Sequence, residues 1–122
     1  MADSLREPTF LILTALAAGP LHGYRIIREV AVLSDERLSL RPGTLYGALD
    51  RLTDDGLVAA DREEVVDGRL RRYYRLTDSG ASLLDAEAER RRRTADAAQH
   101  RLAERARQAG PRSSPRAAGG VA

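Results

Sequence analysis

Cysteine is absent from the chain, which removes disulfides, thiol nucleophiles and thiolate zinc sites at once. That absence favours a reducing, cytoplasmic setting. Tryptophan is missing as well, and phenylalanine occurs once, as Phe10. A pocket that works by aromatic stacking therefore lacks its parts, and no effector ligand is assigned. No apolar run approaches the ~18 residues of a membrane span, and no basic, then apolar, then small-residue leader is seen, so no membrane partner is expected. The two histidines, His22 and His100, lie far apart, and no His/Asp/Glu cluster has metal-ligand spacing. Ser79 and Ser82 have no nearby base, and no glycine-rich phosphate loop follows a strand. Neither a metal, a cofactor nor a catalytic site is expected, and an enzyme is disfavoured.

Lysine is the last absence: all 20 basic residues are arginine. The planar guanidinium fork grips phosphate and base edges better than an ammonium does. A rich supply of arginine and alanine is also what a GC-rich genome produces, so the bias alone proves nothing. The net charge is only +2, so an anionic partner has to be met by a local concentration of charge.

What is present fits one compact domain. The 122 residues are 43% hydrophobic and 31% charged, a globular balance. Pro8 followed by FLILTALAAG predicts a buried helix over residues 7–18, ended by Gly19-Pro20. HGYRIIREVAVL predicts a second over 22–33, with Ile26, Ile27, Val30 and Leu33 on its apolar side. A third, over 42–55, starts at Pro42 and stops at Gly56. Its stripe Leu45, Ala48, Leu49 and Leu52 leaves Gly43, Tyr46, Gly47, Asp50, Arg51 and Asp54 on the opposite side. LVAADREEVV and LRRYYRL then flank Asp67-Gly68, a tight-turn dipeptide, and predict antiparallel strands over 57–65 and 70–76. Thr77 reads as the N-cap of a long helix over 78–108, and the Pro/Gly-rich residues 110–122 read as a disordered tail.

Three helices, a hairpin and a terminal helix in that order make a winged helix-turn-helix, mainly α with a small β-hairpin. In DNA-binding versions of that architecture the third helix lies in the major groove. A plain amphipathic helix with a solvated outer face would give the same periodicity. Two glycines and an exposed Tyr46 on that face argue against it, since glycine weakens a helix by ~1 kcal/mol relative to alanine. Arg69, Arg71 and Arg72 crowd the hairpin tip, where phosphate contact competes with charge balance against Asp61, Glu63, Glu64 and Asp67. Of the neighbours Tyr73 and Tyr74, strand alternation turns one to the core and one away. A winged-helix module that binds protein without specific DNA binding is the alternative.

LHGYRIIREV, LSLRPGTLYGALDRLTDDGLV and DGRLRRYYRLTDSG, in that order and at that spacing, resemble the PadR family of bacterial transcriptional regulators. The likeness spans residues 8–84. It implies a repressor acting as a homodimer on a palindromic DNA operator, with small members pairing through a single C-terminal helix. The contacts it implies fall on His22 and Tyr24, on Thr44, Tyr46 and Arg51 in the third helix, and on Arg69 and Arg71 in the wing. The outward side of the third helix adds Gly47 and Asp50, and Arg41 just ahead of it adds positive charge. Asp50 departs from what such a helix usually presents; it either accepts from a cytosine amino group or pairs with Arg41 or Arg51.

The expected division is residues 1–76 for DNA, 77–109 for dimerisation, and 110–122 as tail. In a heptad frame Leu84, Ala88, Arg91, Ala95, Ala98, Leu102 and Arg105 form the seam of the terminal helix. Three alanines and two arginines bury little, so the first helix, with Phe10, is expected to share the interface. Arg90 to Arg93 cannot form one patch, because four consecutive residues span the whole helix circumference. They are expected to sit in a solvated, salt-bridged surface.

Overall fold

A computed structural model describes residues 5–110. The tail expected from residue 110 lies outside the described residues from 111 onward. The order is α1 (Glu7–Leu16), β1 (Leu21–His22), α2 (Gly23–Leu33), α3 (Pro42–Asp54), β2 (Val58–Val66), β3 (Arg69–Leu76) and α4 (Asp78–Ala109). The described residues fall into two compact units, divided between Glu87 and Ala88. Among them no helix is long and apolar enough to cross a membrane.

In the first unit α1 to α3 converge on one core. Leu13, Ile26, Val30, Leu45 and Leu49 are fully shielded, and Ile12, Leu16 and Val58 nearly so. α1 contributes Leu11, Ile12, Leu13, Ala15 and Leu16, as an almost wholly apolar helix must. It ends two residues earlier than the sequence suggests, with Ala17 as its C-cap. α2 buries Ile26 and Val30, with Ile27 packed at the margin. Leu33, read as part of that stripe, is 42% exposed, because the chain leaves the helix there. The buried Ser34 hydroxyl donates to the Ala31 carbonyl and accepts from the Leu38 amide, closing the exit. α3 buries the four residues of its stripe, and its C-terminus is followed by Gly56 at φ +76°.

The sheet is antiparallel, in the order β1-β3-β2. The two-residue β1 has no counterpart in the sequence reading: two residues carry no period. It pairs Leu21 with Tyr74 and His22 with Tyr73. Asp67 and Gly68, at φ +52° and +75°, form the hairpin turn that the dipeptide predicts. Between Ala60 and Glu63 the register slips, with Asp61 and Arg62 facing Tyr73 alone. The Thr77 hydroxyl accepts from the Gly80 amide, capping α4 as expected, and donates to the Gly56 carbonyl. Gly80 is buried against Leu57, and a Cβ there would collide with the Leu57 carbonyl oxygen.

The second unit is helix. Along it Ala95, Ala98 and Leu102 are exposed, Leu102 by 62%. Arg93 pairs with Glu89 at 3.6 Å, an i,i+4 link of the kind a salt-bridged helix surface carries.

Candidate nucleic-acid interface

Short as it is, β1 sets the site. By adding to the edge of β3 it brings the start of α2 beside the wing, and it pairs with only Tyr73 and Tyr74. Residues 69–72 run on past it toward the turn. An open cleft of about 490 Å³ lies there, lined by His22 and Tyr24 from the α2 entrance, Tyr46 from α3, and Arg69, Leu70 and Arg71 from the wing. Five residues named as DNA contacts on sequence grounds, from three separate segments, thus border one hollow, with Asp67 and Arg72 beside them.

His22 is the N-cap of α2. Its Nδ1 accepts from the Arg25 amide at 3.4 Å, and its ring meets Tyr73 edge-on with centroids 5.3 Å apart. A nitrogen that accepts carries no proton, so the cap needs neutral imidazole. Burial pushes the His22 pKa below its ordinary value, and Arg71 and Arg25 push the same way against Glu64. Tyr73 is held in turn: its hydroxyl donates to Glu64 at 2.7 Å, and the Arg62 guanidinium lies 3.9 Å from its ring centre. The bulge delivers Arg62 to that position.

Tyr46 is 42% exposed yet fixed at one end. Its hydroxyl rests on Gly23, where a Cβ would collide with it and would stand 2.8 Å from the ring carbon bearing it. Gly23 is therefore a site residue that sequence reasoning missed. The signal available was a glycine directly after a helix cap, where it weakens the helix unless something must approach. Tyr74 takes the core position of the tyrosine pair, at 9% exposure. Burial raises its pKa, with Tyr46 and Asp50 adding to the rise and Arg72 opposing it, so its hydroxyl stays protonated.

The wing arginines divide by partner. Arg72 pairs with Glu63 at 3.2 Å and Arg75 reaches Asp61 at 3.8 Å, the charge balance anticipated across the hairpin. Arg69 and Arg71 form no ion pair with a described residue, because their cross-strand partners are Val66 and Glu64, and Glu64 is taken by Tyr73. Arg41, the N-cap of α3, is exposed, as is Thr44 in the first turn. Arg51 is exposed too, and its guanidinium lies 3.8 Å from where a Cβ on Gly47 would stand. Apart from its chain neighbours and its own helix backbone, no described residue comes within 4 Å of a Cβ built at Gly43. The α3 surface is open.

Asp50 stands apart from this group. It is exposed and pairs with neither Arg41 nor Arg51; it borders a separate hollow of about 500 Å³ with Thr53, Asp54, Glu63, Arg72 and Tyr74. Of the residues read as a dimer surface, Phe10 on α1 is half-buried and Leu84 packs at the margin of the core in the first unit, and Ala88 in the second is half-buried.

Three packed helices, a wing beside the third and a capped helix entrance facing both define a winged helix-turn-helix protein. A model of the transcriptional regulator PadR-like family matches residues 12–86, and the chain belongs to that family. The family is one of transcription regulators. A transcriptional regulator of Mycobacterium tuberculosis is 42% identical over 73 residues, which are 60% of this chain and 64% of that protein. A 37.1 kDa protein of a Streptomyces fradiae transposon is 46% identical over 82 residues, 67% of this chain but 22% of the larger one. The chain thus spans less than two thirds of either relative. Among solved structures, a PadR family regulator from Clostridium difficile superposes with TM-score 0.67 at 25% identity, covering 80% of this chain and 99% of that one. Bacillus subtilis PadR in complex with operator DNA superposes with TM-score 0.59 at 29% identity, over 66% of this chain and 46% of that one.

Proposed function

We propose that the chain is a sequence-specific DNA-binding regulator, a repressor acting as a homodimer on a palindromic operator. One observation carries the reading: His22, Tyr24, Tyr46, Arg69 and Arg71 border a single cleft, with both arginines free of ion pairs among the described residues. In this reading α3 enters the major groove, with Thr44, Tyr46, Gly47, Asp50 and Arg51 toward base edges. Arg41, Arg69, Arg71 and the amides opening α2 and α3 hold phosphates. The operator complex of the Bacillus subtilis relative supports DNA as the partner. Residues 1–76 serve DNA and 77–109 serve pairing, through Leu84, Ala88, Ala95, Ala98 and Leu102, with Phe10 contributing from α1.

Two-fold symmetry places the two α3 helices about 34–36 Å apart, one helical turn of DNA. If a dimer neutralises ~6–8 phosphates, log K falls with log salt at a slope of about −5 to −7. The test is selection of bound sequences from a random duplex library, with Arg69→Ala/Arg71→Ala run in parallel. An enriched inverted repeat is expected, with the double variant binding more weakly and with a shallower salt slope. A folded dimer that enriches no sequence would sink the reading and favour the protein-interaction module.

A further inference from the structure

Leu70, Arg72, Tyr74 and Leu76 alternate onto one face of β3. Tyr74 is buried and Leu76 packs against the core, so this is the core face of the sheet. Toward the turn that face outruns the core. Arg72 stands opposite Glu63, and next comes Leu70 opposite Val65. Leu70 is 57% exposed and Val65 70%. The turn does not require them, since Asp67 and Gly68 make it by backbone conformation. An apolar cross-strand pair therefore stands in water at the wing tip.

The pair's surroundings indicate its occupant. Arg69 and Arg71 flank Leu70 in sequence and point to the other face, and neither has an ion-pair partner among the described residues. Leu70 also borders the cleft shared by His22 and Tyr46. A partner fitting this tip is narrow, anionic along its edges and weakly polar on its floor. The minor groove of duplex DNA has that form: phosphates rim it, while sugar C–H groups and base edges line it.

We infer that Val65 and Leu70 seat on the minor-groove floor beside the base pairs read by α3, and that they select A·T pairs there. The selection follows from what the side chains lack. Guanine alone projects an amino donor, N2, into the minor groove. Neither valine nor leucine accepts a hydrogen bond, so a G·C pair under the tip leaves that donor desolvated and unpaired. The inference deepens the DNA-binding reading and rests on it.

The test uses the full-length protein on its selected operator, with the base pairs beneath the wing changed in turn. For wild type, replacing A·T by G·C is expected to weaken binding roughly tenfold. Inosine·cytosine, which lacks the N2 amino group, is expected to restore it. Val65→Ser/Leu70→Ser should lose this discrimination while keeping the wild-type salt slope, because no phosphate contact is removed. Equal wild-type binding to G·C and inosine·cytosine would overturn the inference and leave the DNA reading intact; that comparison needs no variant. Discrimination retained by the double variant would overturn it too. So would a change in the variant's oligomeric state without DNA, which would assign the pair to contact between copies of the chain. Failure of wild type to select any operator would instead remove the DNA reading itself.

Discussion

The two units of this chain are helical for different reasons. In the first, the three helices each bury an apolar face in one shared core: the α3 stripe of Leu45, Ala48, Leu49 and Leu52 is buried throughout. In the second, from Ala88 on, the helix is dominated by alanine and arginine, and none of its described residues is fully buried. Its order within the chain comes from backbone propensity and links such as Glu89–Arg93, each worth only ~0.2–0.5 kcal/mol. The first unit is specified by what it buries. The second is specified only as a helix, and its one leucine, Leu102, is exposed.

That contrast can be broken most directly with one truncation in each unit. Leu49→Ala, at a fully shielded position, is expected to cost ~2–5 kcal/mol in denaturant unfolding. Leu102→Ala is expected to change unfolding of dilute protein by less than ~0.5 kcal/mol while weakening self-association in sedimentation experiments. Equal effects on unfolding would mean that the two units do not differ as described. Next in size is Gly23→Ala, whose Cβ would meet the Tyr46 hydroxyl; we expect ~1–3 kcal/mol of destabilisation. Removing the obstacle should relieve much of it, so Gly23→Ala should cost clearly less in a Tyr46→Ala background than alone. Additive costs would show that the collision is relaxed elsewhere. Thr77→Ala removes the α4 cap and the bond to the Gly56 carbonyl, for about 1 kcal/mol.

Most of the first unit was legible because its signals are periodic or local. The α3 stripe repeats at helical spacing, Asp67-Gly68 tolerates positive φ, and Thr77 precedes its helix as a capping hydroxyl should. What escaped was non-periodic. β1 is two residues long, and its existence depends on β3 offering an edge. The role of Gly23 depends on a tyrosine more than twenty positions away. The bulge at Asp61-Arg62 cannot be read from strand alternation, which it interrupts; yet it sets Arg62 over Tyr73. The distinction between Arg72 and its neighbours Arg69 and Arg71 was equally hidden, because it turns on which acid each one finds across the strand.

The smallest expected effect concerns His22, where cap, wing and pH meet. Its pKa is lowered by burial first and by Arg71 and Arg25 second, against Glu64. A histidine whose folded pKa lies below its unfolded value of about 6.5 contributes its stability fully above that value and loses it as pH falls through the folded pKa. The physical event is protonation of Nδ1, which then has no lone pair for the Arg25 amide and adds a cation beside Arg71. Asparagine at this position can cap without titrating. Lowering the pH from about 7.5 to about 5.5 should therefore reduce the melting temperature of wild type more than that of His22→Asn. An equal fall in both would place the pH response in other groups and leave His22 as a cap alone. A phosphate held at the α2 entrance would favour the imidazolium and oppose this loss, so the difference between the two proteins should narrow on operator DNA.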